Sequence, residues 1–509
     1  MDQMASPAFV PTNRLSPAVL ARLPDGIMRP AYDRHAVSPG IVHLGLGAFA
    51  RSHLAVFTDD ILAAGDLGWG IVGGSLHSPE AYCALVPQGG LYTLVVRGPD
   101  DDRLRVIGAL AEVLASHRDP AATLARLADP RTRIVTLTVT EKGYCQDAAS
   151  GTLDEDHPAI VADLAPDVLP RSVPGLLTAA IRRRRDAGLP PFTVLVCDNL
   201  PQNGATVRNI VTRFALLQDP ALGRFIEDTI CFPNTMVDRI TPATQDLDRA
   251  TIAVRMGVED AWPVICEPFR QWVIEDHFGA GRPRWEDVGA TLVRDVAPFE
   301  TMKLRCLNGS HSAMAYIGVV AGLETIAAAF GDPAVARFIS GLWHEDLVPT
   351  VPPVPGIDVK AYTAELAARY RNPRIRHRTQ QIASDGSQKL PPRLLEPALA
   401  RLRAGGSARH IAFVVAAWMR FTLGETDKGE RYAVNDPLAA RLTAIAGCCG
   451  RNAARLAAEL FGITEIFTPA LLAEAGFRAQ VVADLEQILA IGVAPALLAC
   501  SDHSSRAAL

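Results

Sequence analysis

The chain of 509 residues lacks the usual marks of a metal site or a disulfide framework. Its nine cysteines (Cys83, Cys145, Cys197, Cys231, Cys266, Cys306, Cys448, Cys449 and Cys500) are scattered. They form no C-x-x-C pair and no Cys/His spacing of the zinc type, and no H-x-x-x-H pair occurs among the twelve histidines. These absences argue against a zinc alcohol dehydrogenase, predict no bound metal, and fit reduced thiols in a cytoplasm. Long apolar runs are missing too. None approaches the ~20 residues that a membrane-spanning helix needs. The opening MDQMASPAFVPTNRLSP has an acid and prolines where a secretory signal would need a basic start and an apolar run. Excess basic charge is also absent. The formal net charge is -5, which argues against nucleic acid or a membrane surface as partner. The one basic cluster, Arg182 to Arg185, lies in a helical pattern and reads as a solvated face. No internal repeat or low-complexity tract stands out.

What remains is the profile of a globular enzyme, 49% hydrophobic and 21% charged, with length for more than one domain. Residues 1–38 read as a loose arm with a short helix near residues 17–23. A strand at 41–44 then runs directly into Gly45-Leu46-Gly47-Ala48-Phe49-Ala50-Arg51 and a helical pattern. Strand, glycine turn and helix is the context of a dinucleotide fingerprint. Gly45 permits the tight turn, and Gly47 lets backbone approach a pyrophosphate at a helix N-terminus. The third glycine of G-x-G-x-x-G is missing, and Ala50 stands there. Gly45, Gly47, Ala48, Phe49 and Arg51 are the candidate cofactor contacts. Glu80, after a second strand at 69–76, is a candidate for the adenosine ribose. An acid there favours NAD over NADP.

Further strands are expected at 133–140 and 192–197. The first runs into Glu141-Lys142-Gly143-Tyr144 and the second into Asp198-Asn199. Both loops lie at C-terminal strand ends, where open α/β sheets bind ligands. Asn199 reads equally as a functional amide or as an Asx-turn residue. Asp238 sits in a short polar insert. From about residue 296 the pattern turns Ala/Leu-rich and helical, with helices expected at 302–330, 333–344, 358–371, 394–404, 408–422, 436–446, 451–460, 468–474 and 478–498. The resulting division is an arm (1–38), a Rossmann-type doubly wound α/β domain (39–295) and a mainly helical domain (296–509), with a site in the cleft between the last two.

The helical half opens on ETMKLRCLNGSHSAMAYIGVVAGL, residues 300–323. Drawn as one α-helix, Lys303, Asn308 and His311 share an arc of roughly 140° in an otherwise apolar face. Burial there lowers a lysine pKa, so the amine can take a proton from an alcohol while an amide holds the oxygen. The alternative is an amphipathic helix whose Lys303 reaches out to water.

Several stretches together resemble the mannitol dehydrogenase family, the long-chain polyol-specific dehydrogenases. They are IVHLGLGAFARSH, LTVTEKGYC, VCDNLPQNG with FPNTMVDRITPAT, and MKLRCLNGSHSAMAYIG, joined by WPVICEPFRQWVIEDHF and DGSQKLP. The likeness runs from about residue 30 to residue 500. It implies a metal-independent, NAD-linked secondary-alcohol dehydrogenase acting on a small sugar acid or polyol. Lys303 would be the general base, and Asn199 and Asn308 the donors to the reacting oxygen. Asp238, His311 and Lys389 would bind substrate hydroxyls. Relatives of this size often act as monomers. Mannitol-oxidising members tend to carry Arg where Gln381 stands, which makes Gln381 a candidate substrate contact. RHRTQQIASDGSQKLPPRLL and TEKGYC look more like the fructuronate reductases. VCDNLPQNG and FPNTMVDRITPAT look more like the mannitol 2-dehydrogenases. A sugar acid needs a cation for its carboxylate, and Lys142 or Arg305 can supply one. The expectation leans to the hexonate substrate, with mannitol 2-dehydrogenase as the alternative. A sugar-phosphate dehydrogenase and a silent NAD-binding sensor stand further off.

Overall fold

A computed structural model describes residues 13–147 and 151–506, so the first twelve residues of the expected arm lie outside it. The chain divides into two compact units, Met1–Val296 and Ala297–Leu509. The first unit carries eleven strands among its described residues: β1 (Pro39–Leu44), β2 (Gly70–Gly74), β3 (Tyr92–Arg97), β4 (Asp102–Ile107), β5 (Leu110–Leu114), β6 (Ile134–Leu137), β7 (Thr193–Val196), β8 (Thr235–Asp238), β9 (Val264–Cys266), β10 (Gln271–Glu275) and β11 (Thr291–Val293). Five make an all-parallel sheet in the order β5-β2-β1-β6-β7. This is a doubly wound Rossmann-type sheet, and its order reverses between β1 and β6.

The sequence builds this sheet by alternation. Val42, Leu44, Val135, Leu137, Val194 and Val196 enter one core, and Ile41, Ile134 and Leu195 enter the other. Side chains of period two feed both faces, and helices cover both. Two further three-stranded sheets, β11-β10-β8 and β4-β3-β9, complete the strands of this unit. The short strands β8 to β11 have little periodicity to reveal them in sequence.

Three expectations need correction here. The arm is not loose over residues 13–38: Leu15, Val19 and Leu23 are buried against Leu91, Val95, Leu104 and Val106. The strand expected at 133–140 stops at Leu137, because Thr140 takes a positive φ of 65° and turns the chain. The arginine run is not wholly solvated. Arg184 is 2% exposed and donates to the carbonyls of Leu127, Asp129 and Pro190. Three carbonyl acceptors explain how a lone guanidinium survives burial.

The second unit is built of helices around Ser310–Ala321, Arg409–Phe421 and Ala475–Ile491. From His410 to Phe421 every side chain is buried, as befits a central helix that is apolar apart from His410 and Arg420. The expected helix 302–330 breaks at Gly322, whose φ is 77°, and 478–498 breaks at Gly492, whose φ is 87°. Among the described residues, no helix is long and apolar enough to cross a membrane.

Candidate active site

In the first unit the candidate residues gather where the sheet order reverses. Gly45 follows β1 with a φ of 94°, and a Cβ there would stand 2.1 Å from the carbonyl oxygen of Thr138. Only glycine satisfies both constraints. The turn is pinned from both sides. Gly45 and Leu46 N–H groups donate to the Gly74 carbonyl at the end of β2, and Thr138 Oγ1 donates to the Gly45 carbonyl at 2.8 Å. Below it His43 spans Thr136 Oγ1 (2.8 Å) and Thr138 Oγ1 (3.1 Å), and full burial pushes its pKa down to about 4. Gly47 caps the short helix Ala48–Ser52, and a Cβ on it would meet nothing nearer than 3.7 Å. This leaves backbone accessible to a phosphate group at a helix start.

Ala50 is fully buried, so the missing third glycine is a packing position filled by a methyl group. Arg51 does not suit the cofactor role expected of it. The residue is 3% exposed, and its guanidinium lies 3.9 Å over the Trp262 ring and donates to the Trp262 carbonyl. Glu80 is exposed at the start of the helix Glu80–Leu85, six residues past the end of β2.

The C-terminal ends of β6 and β7 are joined by Asp198, a residue that sequence reasoning did not single out. Its carboxylate accepts the N–H groups of Val139 (2.9 Å) and Thr140 (3.0 Å) and the hydroxyl of Tyr144 (2.6 Å). These bonds hold Thr140 in a conformation that a β-branched residue rarely adopts. They fix the turn that carries exposed Lys142 and the start of the loop that carries exposed Asn199. Asn203 adds a second tie. Its amide donates to Asp198 O (3.0 Å) and Thr235 O (2.9 Å), and accepts from Thr235 N (2.9 Å). Asp238, at the end of β8, is 4% exposed. Asp198 and Asn203 carried no signal of their own: acids and amides after a strand also make ordinary turns.

In the second unit Lys303, Asn308 and His311 are buried at 8%, 8% and 6% exposure. The helix is not regular there. Lys303–Gly309 is a π-helical turn between Ala297–Met302 and Ser310–Ala321. Residues five apart lie at 140° on an α-helix, but an i→i+5 turn sets them nearly one above the other. Lys303 and Asn308 therefore share a face more closely than the α-helical drawing implied. His311 is pushed well below its usual pKa, by burial first and then by His377, Arg369, Arg393 and Lys303, so it is neutral at ordinary pH. Its ring packs 4.8 Å from Tyr370 and 5.3 Å from His377, and its Nε2 is buried with no hydrogen-bond partner among the described residues.

The remaining candidates differ. Lys389 Nζ donates to Ser384 O at 2.6 Å and pairs with Asp385 at 3.4 Å, bracing its own turn. Gln381 is exposed on Thr379–Ala383. Arg305 spends one N–H of its guanidinium on the Thr350 carbonyl. Among the described residues, no group of three or more His, Cys, Asp or Glu is arranged to hold a metal.

The family model of the mannitol dehydrogenase Rossmann domain matches residues 39–287, and that of the mannitol dehydrogenase C-terminal domain matches residues 295–489. The chain belongs to the mannitol dehydrogenase family. It is 44% identical over 466 residues to a D-mannonate oxidoreductase of Escherichia coli, covering 91% of this chain and 96% of that protein. It is 42% identical over 444 residues to a mannitol 2-dehydrogenase of Cereibacter sphaeroides, covering 87% and 92%. Among solved structures, the Pseudomonas fluorescens mannitol 2-dehydrogenase in ternary complex with NAD and D-mannitol matches with a TM-score of 0.87 at 37% identity, covering 97% and 99%. Two branches of the mannitol dehydrogenase family thus stand almost equally near.

Proposed function

We propose that this protein is an NAD-dependent dehydrogenase interconverting a secondary alcohol and a ketone on a hexonate, D-mannonate and D-fructuronate in the first place. The observation that carries the chemistry is the buried π-helical turn that gathers Lys303 and Asn308, with neutral His311 beside it. Bound NAD would supply the hydride acceptor, and Lys303 takes the hydroxyl proton that the oxidation releases. Asn199 and Asn308 donate N–H groups to the oxygen as it gains negative charge. His311 Nε2, Asp238 and Lys389 bind other hydroxyls of the substrate, and Gln381 is a further substrate contact. In the direction of reduction Lys303 returns the proton.

Gly45, Gly47, Ala48 and Phe49 would hold the dinucleotide, and Glu80 would take its ribose hydroxyls. The residues fit such a group: the turn needs glycine at 45, and space is open above Gly47. The two glycines separate folding from binding. Gly45→Ala should unfold at markedly lower urea, a loss of roughly 2–5 kcal/mol from the clash and the positive φ together. Gly47→Ala should melt like the parent yet bind NADH at least tenfold more weakly by fluorescence titration. Unchanged NADH affinity in Gly47→Ala removes the pyrophosphate from that turn.

Two features support the hexonate over the hexitol. Arg369 and Arg393 both bear on His311 as cations, a charge that suits a substrate carboxylate. Lys142 is exposed on the turn after β6, with an ammonium to offer a carboxylate. NADH absorbance with fructuronate, tagaturonate, fructose and ribulose tests the substrate directly. Lys142→Gly should raise KM for fructuronate about tenfold while leaving KM for fructose within twofold. Equal effects on both remove Lys142 from recognition, and turnover of fructose alone moves the protein to the mannitol 2-dehydrogenase reading.

A further inference from the structure

The π-helical turn Lys303–Gly309 is not alone. Leu342–Leu347 and Pro391–Leu395 are π-helical too, and both pack against the first. Gly309 marks the closest approach: a Cβ there would stand 3.0 Å from the Arg393 carbonyl and 3.5 Å from Leu347 Cδ1. Such turns are rare because they interrupt the i→i+4 ladder, and a free helix reverts to it. KLRCLNG has no proline or other local reason to form one. The stabilisation must come from elsewhere in the fold.

It comes at the carbonyls of Cys306 and Leu307, which lie between Lys303 and Asn308. Trp343 Nε1 donates to Cys306 O at 2.9 Å, and Tyr370 OH donates to Leu307 O at 3.2 Å. Ser310 Oγ lies 2.6 Å from Cys306 O, 3.1 Å from Leu307 O and 2.9 Å from Tyr370 OH. All these groups are buried, so the side chains replace water as partners for main-chain oxygens. The Trp343 and Tyr370 rings stack at 6.0 Å and 24°, and the Tyr370 ring packs on His311.

We propose that Trp343 and Tyr370 are positioning residues for the reaction: by occupying the Cys306 and Leu307 carbonyls they hold the π-helical turn that brings Asn308 over Lys303. This rests on the reading of Lys303 as base and Asn308 as oxyanion donor. Without the two bonds the segment relaxes toward i→i+4 pairing and Asn308 rotates away from Lys303, while hydride transfer and cofactor binding keep their other determinants.

Tyr370→Phe keeps its ring and deletes one donor, and Trp343→Phe keeps an aromatic side chain while deleting the indole N–H. With NADH and the panel's preferred ketone, each should lower kcat about tenfold or more, leave KM and the NADH dissociation constant within twofold, and shift the pH profile of kcat. In an Asn308→Ala background the same changes should lower kcat by less than twofold, because the residue they position is gone. Tyr370→Phe loses a single oxygen and remains testable if Trp343→Phe melts early. Equal factors in both backgrounds, or parent kcat and pH profile in both Phe variants, overturn the proposal. An active Lys303→Met would instead overturn the reading beneath it, so the two failures are told apart.

Discussion

Lys303→Met will reduce kcat by roughly 10²–10⁴, the range for removal of a general acid–base group. NADH will bind as tightly as before, and the melting temperature will stay close to the parent's. Methionine is chosen because it is unbranched, apolar and near lysine in length, so the buried wall around position 303 stays filled. The defect then reports the missing amine and not a cavity. Lys303→Arg sharpens the result, since a guanidinium holds its proton across the working range and cannot accept the alcohol's. It should be as inactive as the methionine variant despite its positive charge. Near-normal kcat in either variant would show that another group moves the proton.

The second large effect falls on the amides. Asn308→Ala should cost about 10²–10³ in kcat, ~3 kcal/mol, by removing one preorganised donor to the developing oxyanion. KM for the ketone should change little, because the donor acts most strongly when charge is fully developed. Asn199→Ala should show a loss of the same kind. Asn308→Asp should be worse than the alanine variant, because a carboxylate placed there repels the alkoxide. A fall in kcat/KM that lies wholly in KM would assign the amides to ground-state binding.

Much of this molecule is legible residue by residue. The run from β1 into Gly45-Leu46-Gly47 declares itself, because a buried strand, a glycine demanded by a positive φ and a helix start are local events. Lys303, Asn308 and His311 were visible as polar residues inside an apolar periodicity. Asp198 and Asn203 were not, although they fix the loops of Lys142 and Asn199, since their partners Thr140 and Tyr144 lie in the turn after β6 and Thr235 lies on β8. Arg51 misled for the same reason. A guanidinium group beside a motif looks available until the ring and carbonyl of Trp262 are seen to take it.

The amino-acid order alone thus determined the family, the parallel sheet with its glycine turn, the helical second half, and the residue types that make alcohol–ketone chemistry possible. The family is read from the resemblance of whole motifs, and the rest follows from periodicity and from side chains that act where they stand. Tertiary structure decided the π-helical form of Lys303–Gly309. That choice depends on Trp343 and Tyr370, 37 and 63 residues away from the carbonyls they hold. A helix read from its own sequence defaults to i→i+4, and the distant donors Trp343 and Tyr370 join Ser310 in holding the wider turn.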